Sequence, residues 1–444
     1  MTMKDPFFRW EREATIHLLY PTLEGSMKHL EDYAGYGYPT TILMFQNGIV
    51  RWICKEDEFY KVGEKLLTIY MDPKKEKEMI KDTEKRLKVL KKVEKEIEKT
   101  NLSTLTKEPL INLYKRLHDS FVAYYTIGSM HEPVPMEAEL ELKAIKTLSD
   151  NKISYLTAPK KMSFIKEAED YLLNTKDVKG FIKKYYWIDN NYSGTKVLTE
   201  EDVKKRLEHI KNSRQHGHDI EIPKLSPKEK RLIEILKNYS GYQDARKRNI
   251  LIYLHFLEKL LKEIGKRANL SLQVMRDTFP EEIEDILNRK ISEDFINKRK
   301  EKCLIVWEEG KVKPQIITGD QTKEWEEKLS PNHDLGTKIV KGNCASKGKA
   351  KGKVRILLNA SENDKLEKGE ILVTFMTSPD FMAAVRRCGA IVTNLGGVTS
   401  HAAIISRELG IPCIVGTKNG TEILKTGQMV EVNADKGEVT ILSE

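Results

Sequence analysis

Cysteine is scarce and scattered in this chain. The five residues, Cys54, Cys303, Cys344, Cys388 and Cys413, include no Cys-x-x-Cys pair, which speaks against a disulfide framework or a cysteine-held zinc cluster and favours small buried thiols in a reducing compartment. No apolar run approaches the roughly 20 residues that span a bilayer, and the opening Met-Thr-Met-Lys-Asp-Pro lacks the apolar core of a signal peptide. A soluble, cytoplasmic protein without a membrane partner is expected. Charge of a single sign is also missing: 76 basic residues stand against 67 acidic ones, for a net +9. Because the lysines alternate with glutamates, solvated helix faces are expected in place of a nucleic-acid surface. No Gly-x-x-x-x-Gly-Lys-Ser/Thr loop is present to cradle nucleotide phosphates.

What is present suits two or three domains, since 444 residues with 39% hydrophobic content can bury real cores. A helical pattern runs from Phe8 to His29. Asn47-Gly48 then separates the apolar runs Ile42–Phe45 and Ile49–Ile53, a hairpin signal. Asp72-Pro73 opens a long charged amphipathic helix with apolar residues at Met79, Ile80, Leu87, Leu90, Val93 and Ile97. Further helices are expected over Leu110–Gly128, Met136–Leu148, Ser163–Leu173, Glu200–Lys211, Pro227–Leu236 and Asp244–Lys266. A second hairpin joins Cys303–Trp307 to Gln315–Thr318. The expected fold class is therefore α+β and multidomain. Residues 1–318 form a largely α-helical region with small β-hairpins, which can divide near 150–220, followed by a polar linker over 319–341 and a β/α domain over 342–444.

The most informative segment lies in that last domain. Ala390–Thr393 reads as a short buried strand, Gly396 and Gly397 allow a tight turn, and Thr399 or Ser400 can cap the helix that begins at His401. The helix should stop at Gly410, ahead of Pro412, before Cys413–Val415 resumes a strand pattern. A histidine at a helix start meets unpaired amides and the positive end of the helix dipole. Both favour an anion on the ring and a neutral, nucleophilic imidazole near pH 7.

The run Gly396-Gly-Val-Thr-Ser-His-Ala-Ala-Ile404, followed by Ser406-Arg-Glu-Leu-Gly-Ile-Pro412, resembles the phosphohistidine swivelling (mobile) domain of phosphoenolpyruvate-utilising enzymes, the family of phosphoenolpyruvate synthase and pyruvate phosphate dikinase. The resemblance extends through Cys344–Arg355, Gly369–Thr374, Thr377-Ser-Pro-Asp380, Gly427–Val430 and Gly437–Val439, about the last hundred residues. It implies that His401 is the catalytic phosphoryl carrier, supported by Gly396, Gly397, Thr399 and Ser400. In the dikinases the threonine two places before the histidine is also a regulatory phosphorylation target, and Thr399 matches it. Weaker traces, Tyr155-Leu-Thr-Ala-Pro159, Lys184–Tyr192 and Asp244-Ala-Arg-Lys-Arg248, are similar to the acceptor-binding segment of stand-alone phosphotransferases such as rifampicin phosphotransferase.

Neither an ATP-grasp domain nor a phosphoenolpyruvate-handling barrel is recognisable, and the chain ends at Glu444, soon after the final strand pattern. The expectation is a phosphotransferase component that carries a phosphoryl group on His401 between an ATP-grasp partner and a small-molecule or protein acceptor. ATP and Mg would sit on the partner, with no cofactor or metal held by this chain. The alternative is a non-catalytic regulatory or scaffold protein that retains the swivelling fold. Other candidates have bland readings as well: Lys353 and Arg355 as phosphate neighbours or exposed strand charges, His131 with Glu132 as an acid-base pair, His216 and His218 as metal ligands, and Trp187, Asn190, Asn191 and Tyr192 as packing and turn residues. Arg407 and Glu408 should not reach the ring, lying about 240° round and about 10 Å further along the helix respectively.

Overall fold

The structure is a computed structural model that describes residues 7–35, 37–46, 48–129, 133–145, 148–157, 163–210, 223–308, 311, 313–329, 338–377, 381–397 and 400–443. Its fold is α+β and multidomain, a helix-rich region followed by a β/α unit.

The first sheet contains β1 (Phe7–Glu13), β2 (Thr40–Gln46), β3 (Ile49–Lys55), β4 (Cys303–Glu308) and β5 (Gln315–Thr318), in the order β1-β3-β2-β4-β5 with every pair antiparallel. Both expected hairpins are present, and β2 pairs with β4 to fuse them into one sheet. The helical pattern expected from Phe8 holds only from Ile16, where the helix Ile16–Ala34 starts. Residues 7–13 are an extended edge strand instead, because pairing along all of β3 outweighs local periodicity.

Alternation along β2 sorts its side chains onto two faces. Leu43 and Phe45, with Val50, Ile305 and Trp307, meet Ile16, Leu19, Tyr20 and Leu23 of the first helix. Ile42 and Met44, with Ile53, Leu304, Val306 and Ile317, meet Trp325 and Leu329. The last two belong to the helix Thr322–Leu329, which lies within the stretch expected as linker. At the other end of that stretch, Ile339–Lys341 is a strand of the C-terminal sheet, and residues 330–337 lie outside the described residues.

Three long helices, Pro73–Lys99, Lys107–Ser129 and Pro227–Ala268, share a core of Leu90, Val93, Leu117, Phe121, Tyr253, Leu257 and Leu261. The third was expected as two helices, but Gly241 does not interrupt its 42 residues, about 63 Å of helix. Its first half is committed through Leu232, Leu236 and Tyr239 to a second core with the helices Glu56–Tyr70 and Pro133–Ala144, the former unforeseen in the sequence. Burial on both sides of Gly241 outweighs the roughly 1 kcal/mol that a helical glycine costs. The helices Phe164–Thr175, Val178–Tyr185 and Glu200–Ile210 have their own small core, around Phe164, Leu172, Phe181, Trp187 and Val203. It rests on Leu251 and Ile252 of the long helix.

The C-terminal unit is built on β6 (Ile339–Lys341), β7 (Asn343–Ser346), β8 (Lys349–Ile356), β9 (Ile371–Thr374), β10 (Ala390–Thr393), β11 (Cys413–Val415), β12 (Met429–Asn433) and β13 (Glu438–Ser443). Their order is β6-β13-β12-β8-β9-β10-β11-β7, and β8 to β11 run parallel. The two edge strands, β6 and β7, are separated in sequence by Gly342 alone, so the sheet must curl until its edges meet.

Gly342 sits where that closure leaves no room. A Cβ there would lie 2.7 Å from Ile414 Cγ2 and 2.8 Å from both Thr417 Cγ2 and Val415 O. Gly342→Ala is therefore expected to destabilise the C-terminal unit by about 1–3 kcal/mol, read as a lower urea midpoint for that unit with the helical region unchanged.

Candidate active site

In parallel sheets, functional loops gather at the carboxyl ends of the strands, and two neighbouring strands supply them here. After β10, the buried Asn394 side chain binds Thr421 twice, donating to its hydroxyl at 2.7 Å and accepting from its backbone N–H at 2.9 Å. That anchors the turn. Gly396 follows at φ 119°, in the left-handed region, and a Cβ there would also press on Ser400 Oγ at 2.8 Å. Ser400 is the N-cap, accepting from Ala403 N at 3.4 Å, and His401 is the first residue of the helix His401–Leu409. Gly410 closes the helix in the left-handed conformation, φ 66°.

The loop after β9 contributes Thr377, whose buried hydroxyl lies 3.0 Å from His401 Nδ1. Among the described residues no partner is found for Nε2. For Nε2 to act as a nucleophile, Nδ1 must carry the proton, and the Thr377 oxygen stands at the distance to accept it. The ring's pKa is lowered from 6.5 to about 4, first by burial and second by the ammonium of Lys247. The imidazole is thus neutral at pH 7, as the helix start implied, with burial as the main cause.

Lys247 belongs to the long helix of the other unit. Between the two units lies a cleft of about 3070 Å³, with His401, Gly396, Gly397, Ser400 and Thr377 on one wall. The segment Asp244–Arg248 and the aromatics Trp10, Tyr125 and Tyr192 line the opposite side. His401 therefore faces a cavity shared with the helical region.

These residues lie within a recognisable sequence family. Residues 366–437 match the family described as PEP-utilising enzyme, mobile domain. The match falls within the C-terminal unit and includes His401. Similarity to whole proteins is partial. The phosphoenolpyruvate synthase of Pyrococcus furiosus is 57% identical over 99 residues, 22% of this chain and 12% of that protein. A probable phosphoenolpyruvate synthase of Archaeoglobus fulgidus is 42% identical over 165 residues, 35% of this chain and 21% of the relative. The rifampicin phosphotransferase of Bacillus cereus is 30% identical over 253 residues, 55% of this chain and 27% of the relative, so its likeness reaches beyond the mobile domain. The matched region spans no more than about a quarter of these relatives' lengths.

Of the residues singled out in the sequence, His401, Gly396, Gly397 and Ser400 converge at the cleft, whereas Thr399 lies outside the described residues. Arg355 does not join them. Its guanidinium forms a bidentate pair with Glu370 at 2.8 and 2.9 Å, and Lys353 is an exposed residue of the same strand. Asn190 is a turn-holding residue, donating to Leu251 O at 2.9 Å and accepting from Lys196 N at 3.1 Å. Asn191 accepts from Ser193 N, and Trp187 is core. His131, Glu132, His216 and His218 lie outside the described residues. Among the described residues there is no cluster suited to a metal ion, and no helix is long and apolar enough to cross a membrane.

Thr377 and Lys247 were not singled out as ring neighbours. Thr377 stood within the quoted Thr-Ser-Pro-Asp stretch, and Lys247 within Asp-Ala-Arg-Lys-Arg, but only folding brings both to His401.

An NMR titration should find His401 half-protonated near pH 4, and Lys247→Ala should raise that midpoint while leaving it below 6.5, because burial is the larger cause. The unfolded ring takes its proton near pH 6.5 and the folded ring near pH 4. His401's contribution to stability is therefore complete above pH 6.5 and is lost as pH falls toward 4. A midpoint at 6.5 in the intact protein would show that the ring is not enclosed.

Proposed function

We propose that this chain is the phosphocarrier and acceptor-binding component of a split phosphotransferase, with His401 as its catalytic residue. One observation carries the reading: a neutral imidazole at a helix N-terminus, with Thr377 on Nδ1 and Nε2 left to react, faces a cleft lined by a second unit. The mobile-domain match and the phosphotransferase among the relatives support it.

In the charging step, Nε2 attacks the phosphorus of the donor. The N–P bond forms as the P–O bond to the donor breaks, and the departing oxygen keeps the electron pair. In the delivery step an acceptor oxygen attacks the same phosphorus, the N–P bond breaks, and its electrons return to Nε2 as the acceptor gives up its proton. The first-turn amides of the helix His401–Leu409 and the hydroxyl of Ser400 are the groups of this chain available to the phosphoryl oxygens. The ring is half-buried at the cleft wall, which limits the approach of water that would hydrolyse the phosphoramidate.

The donor in this reading is an ATP-grasp protein that holds ATP and Mg. The helical unit binds the acceptor, a small molecule or a protein, in the cleft opposite His401.

The purified chain is to be incubated with radiolabelled ATP, with labelled phosphoenolpyruvate, and with ATP plus a candidate ATP-grasp partner. Base-stable, acid-labile label on His401 is expected only with the partner, and His401→Asn should abolish it. Label from ATP alone would overturn the split arrangement, and no label under any condition would favour the scaffold. Thr377→Val removes one hydrogen bond worth about 1 kcal/mol, so labelling should slow roughly fivefold without being lost.

A further inference from the structure

Besides the approach of Lys247 to His401, four contacts among the described residues bear on how the mobile domain meets the helical unit, and three of them pair opposite charges. Lys418 meets Glu56 at 2.8 Å. Lys166 faces Glu408, and Glu169 faces Arg386. Exposed pairs of this kind hold weakly and are screened by salt.

The fourth contact is of another kind. Glu139, on the helix Pro133–Ala144, is 7% exposed, and Lys143 holds its carboxylate at 2.9 Å. That carboxylate lies directly against Gly397: a Cβ at this position would sit 2.7 Å from Oε1 and 2.8 Å from Oε2. Gly397 does not have a positive φ, unlike Gly396, so its own backbone would accept an alanine. A Cβ at 397 would push aside the Glu139 carboxylate, which its own burial and Lys143 hold in place. The contact falls on the turn that leads into His401, where the phosphoryl group of the proposed carrier would be received.

We propose that Glu139 is a charge-sensing latch. It seats the mobile domain on the helical unit while His401 is uncharged, and it is expelled when a phosphoryl group arrives. This inference rests on the carrier reading above. A phosphoryl group brings up to two negative charges to the turn that the seated carboxylate touches. The cations facing this turn, Lys143 and Lys247, reduce the repulsion and set its size. The pose with Glu139 seated is then that of the discharged carrier, released by recharging at the partner.

The test uses the full chain with a donor and an acceptor dye on non-natural residues at exposed positions 92 and 368, one in each unit. Potassium phosphoramidate charges His401 without any partner: the phosphoryl group leaves the reagent's nitrogen for the imidazole, and ammonia is released. Phosphorylation, followed by ³¹P NMR, should lower the docked-to-undocked ratio about tenfold, a usual size for coupled sites. Gly397→Ala should undock the domain with no phosphoryl group present, and adding Glu139→Ala should restore docking and remove its response to phosphorylation. Circular dichroism confirms that each variant is folded. Unchanged docking on phosphorylated His401, or failure of Glu139→Ala to rescue Gly397→Ala, overturns the latch while leaving the carrier reading intact. If His401 accepts no phosphoryl group from any donor the carrier reading falls, and the Gly397–Glu139 pair still reports on the contact by itself.

Discussion

The arrangement depends on one requirement, that a single imidazole be kept neutral and dry while one of its nitrogens remains open to a large anion. Burial meets the first half, holding the ring far below its ordinary pKa. Position meets the second, because His401 opens a helix whose unpaired amides face outward. Neither would suffice alone. A fully packed histidine would be neutral and unreachable, and an exposed one would be protonated for part of the time near pH 7 and would lose a phosphoryl group to water.

The rest of the molecule follows from that demand. Parallel strands β9 and β10 place Thr377 and the glycine turn side by side at their carboxyl ends, so the ring and its hydrogen-bond partner come from separate loops with a common floor. The long helix Pro227–Ala268 plays the corresponding part in the other unit. It contributes to two cores, supports a third through Leu251 and Ile252, and carries the Asp244–Arg248 segment to the cleft. One continuous rod therefore fixes where the cationic wall stands relative to the imidazole.

What could be read from the sequence was what is encoded locally. The strand, turn, helix and stop around His401 follow from Gly396, Ser400, Gly410 and Pro412 within a few residues of one another, and the structure has each in its expected place. The first hairpin was likewise announced by its own Asn47-Gly48 turn. What escaped was set by distant partners. Residues 7–13 form a strand only because β3 is beside them, and Gly241 stays helical only because both flanks are buried. Trp325 and Leu329 are an apolar pair in a charged stretch until the first sheet offers a face to cover. Thr377, Lys247 and Glu139 carried no local mark, since each acquires its place through a contact with another part of the chain.

The C-terminal sheet bears on how this protein behaves among many copies of itself. A strand with unpaired amides and carbonyls is a template for whatever chain passes by, and a domain that leaves its resting place would ordinarily uncover one. Here β6 and β7, the outermost strands, are neighbours through Gly342. These outer strands are only three and four residues long, so a domain in transit offers a stranger a short template, and shuttling need not bring a risk of fibrous assembly.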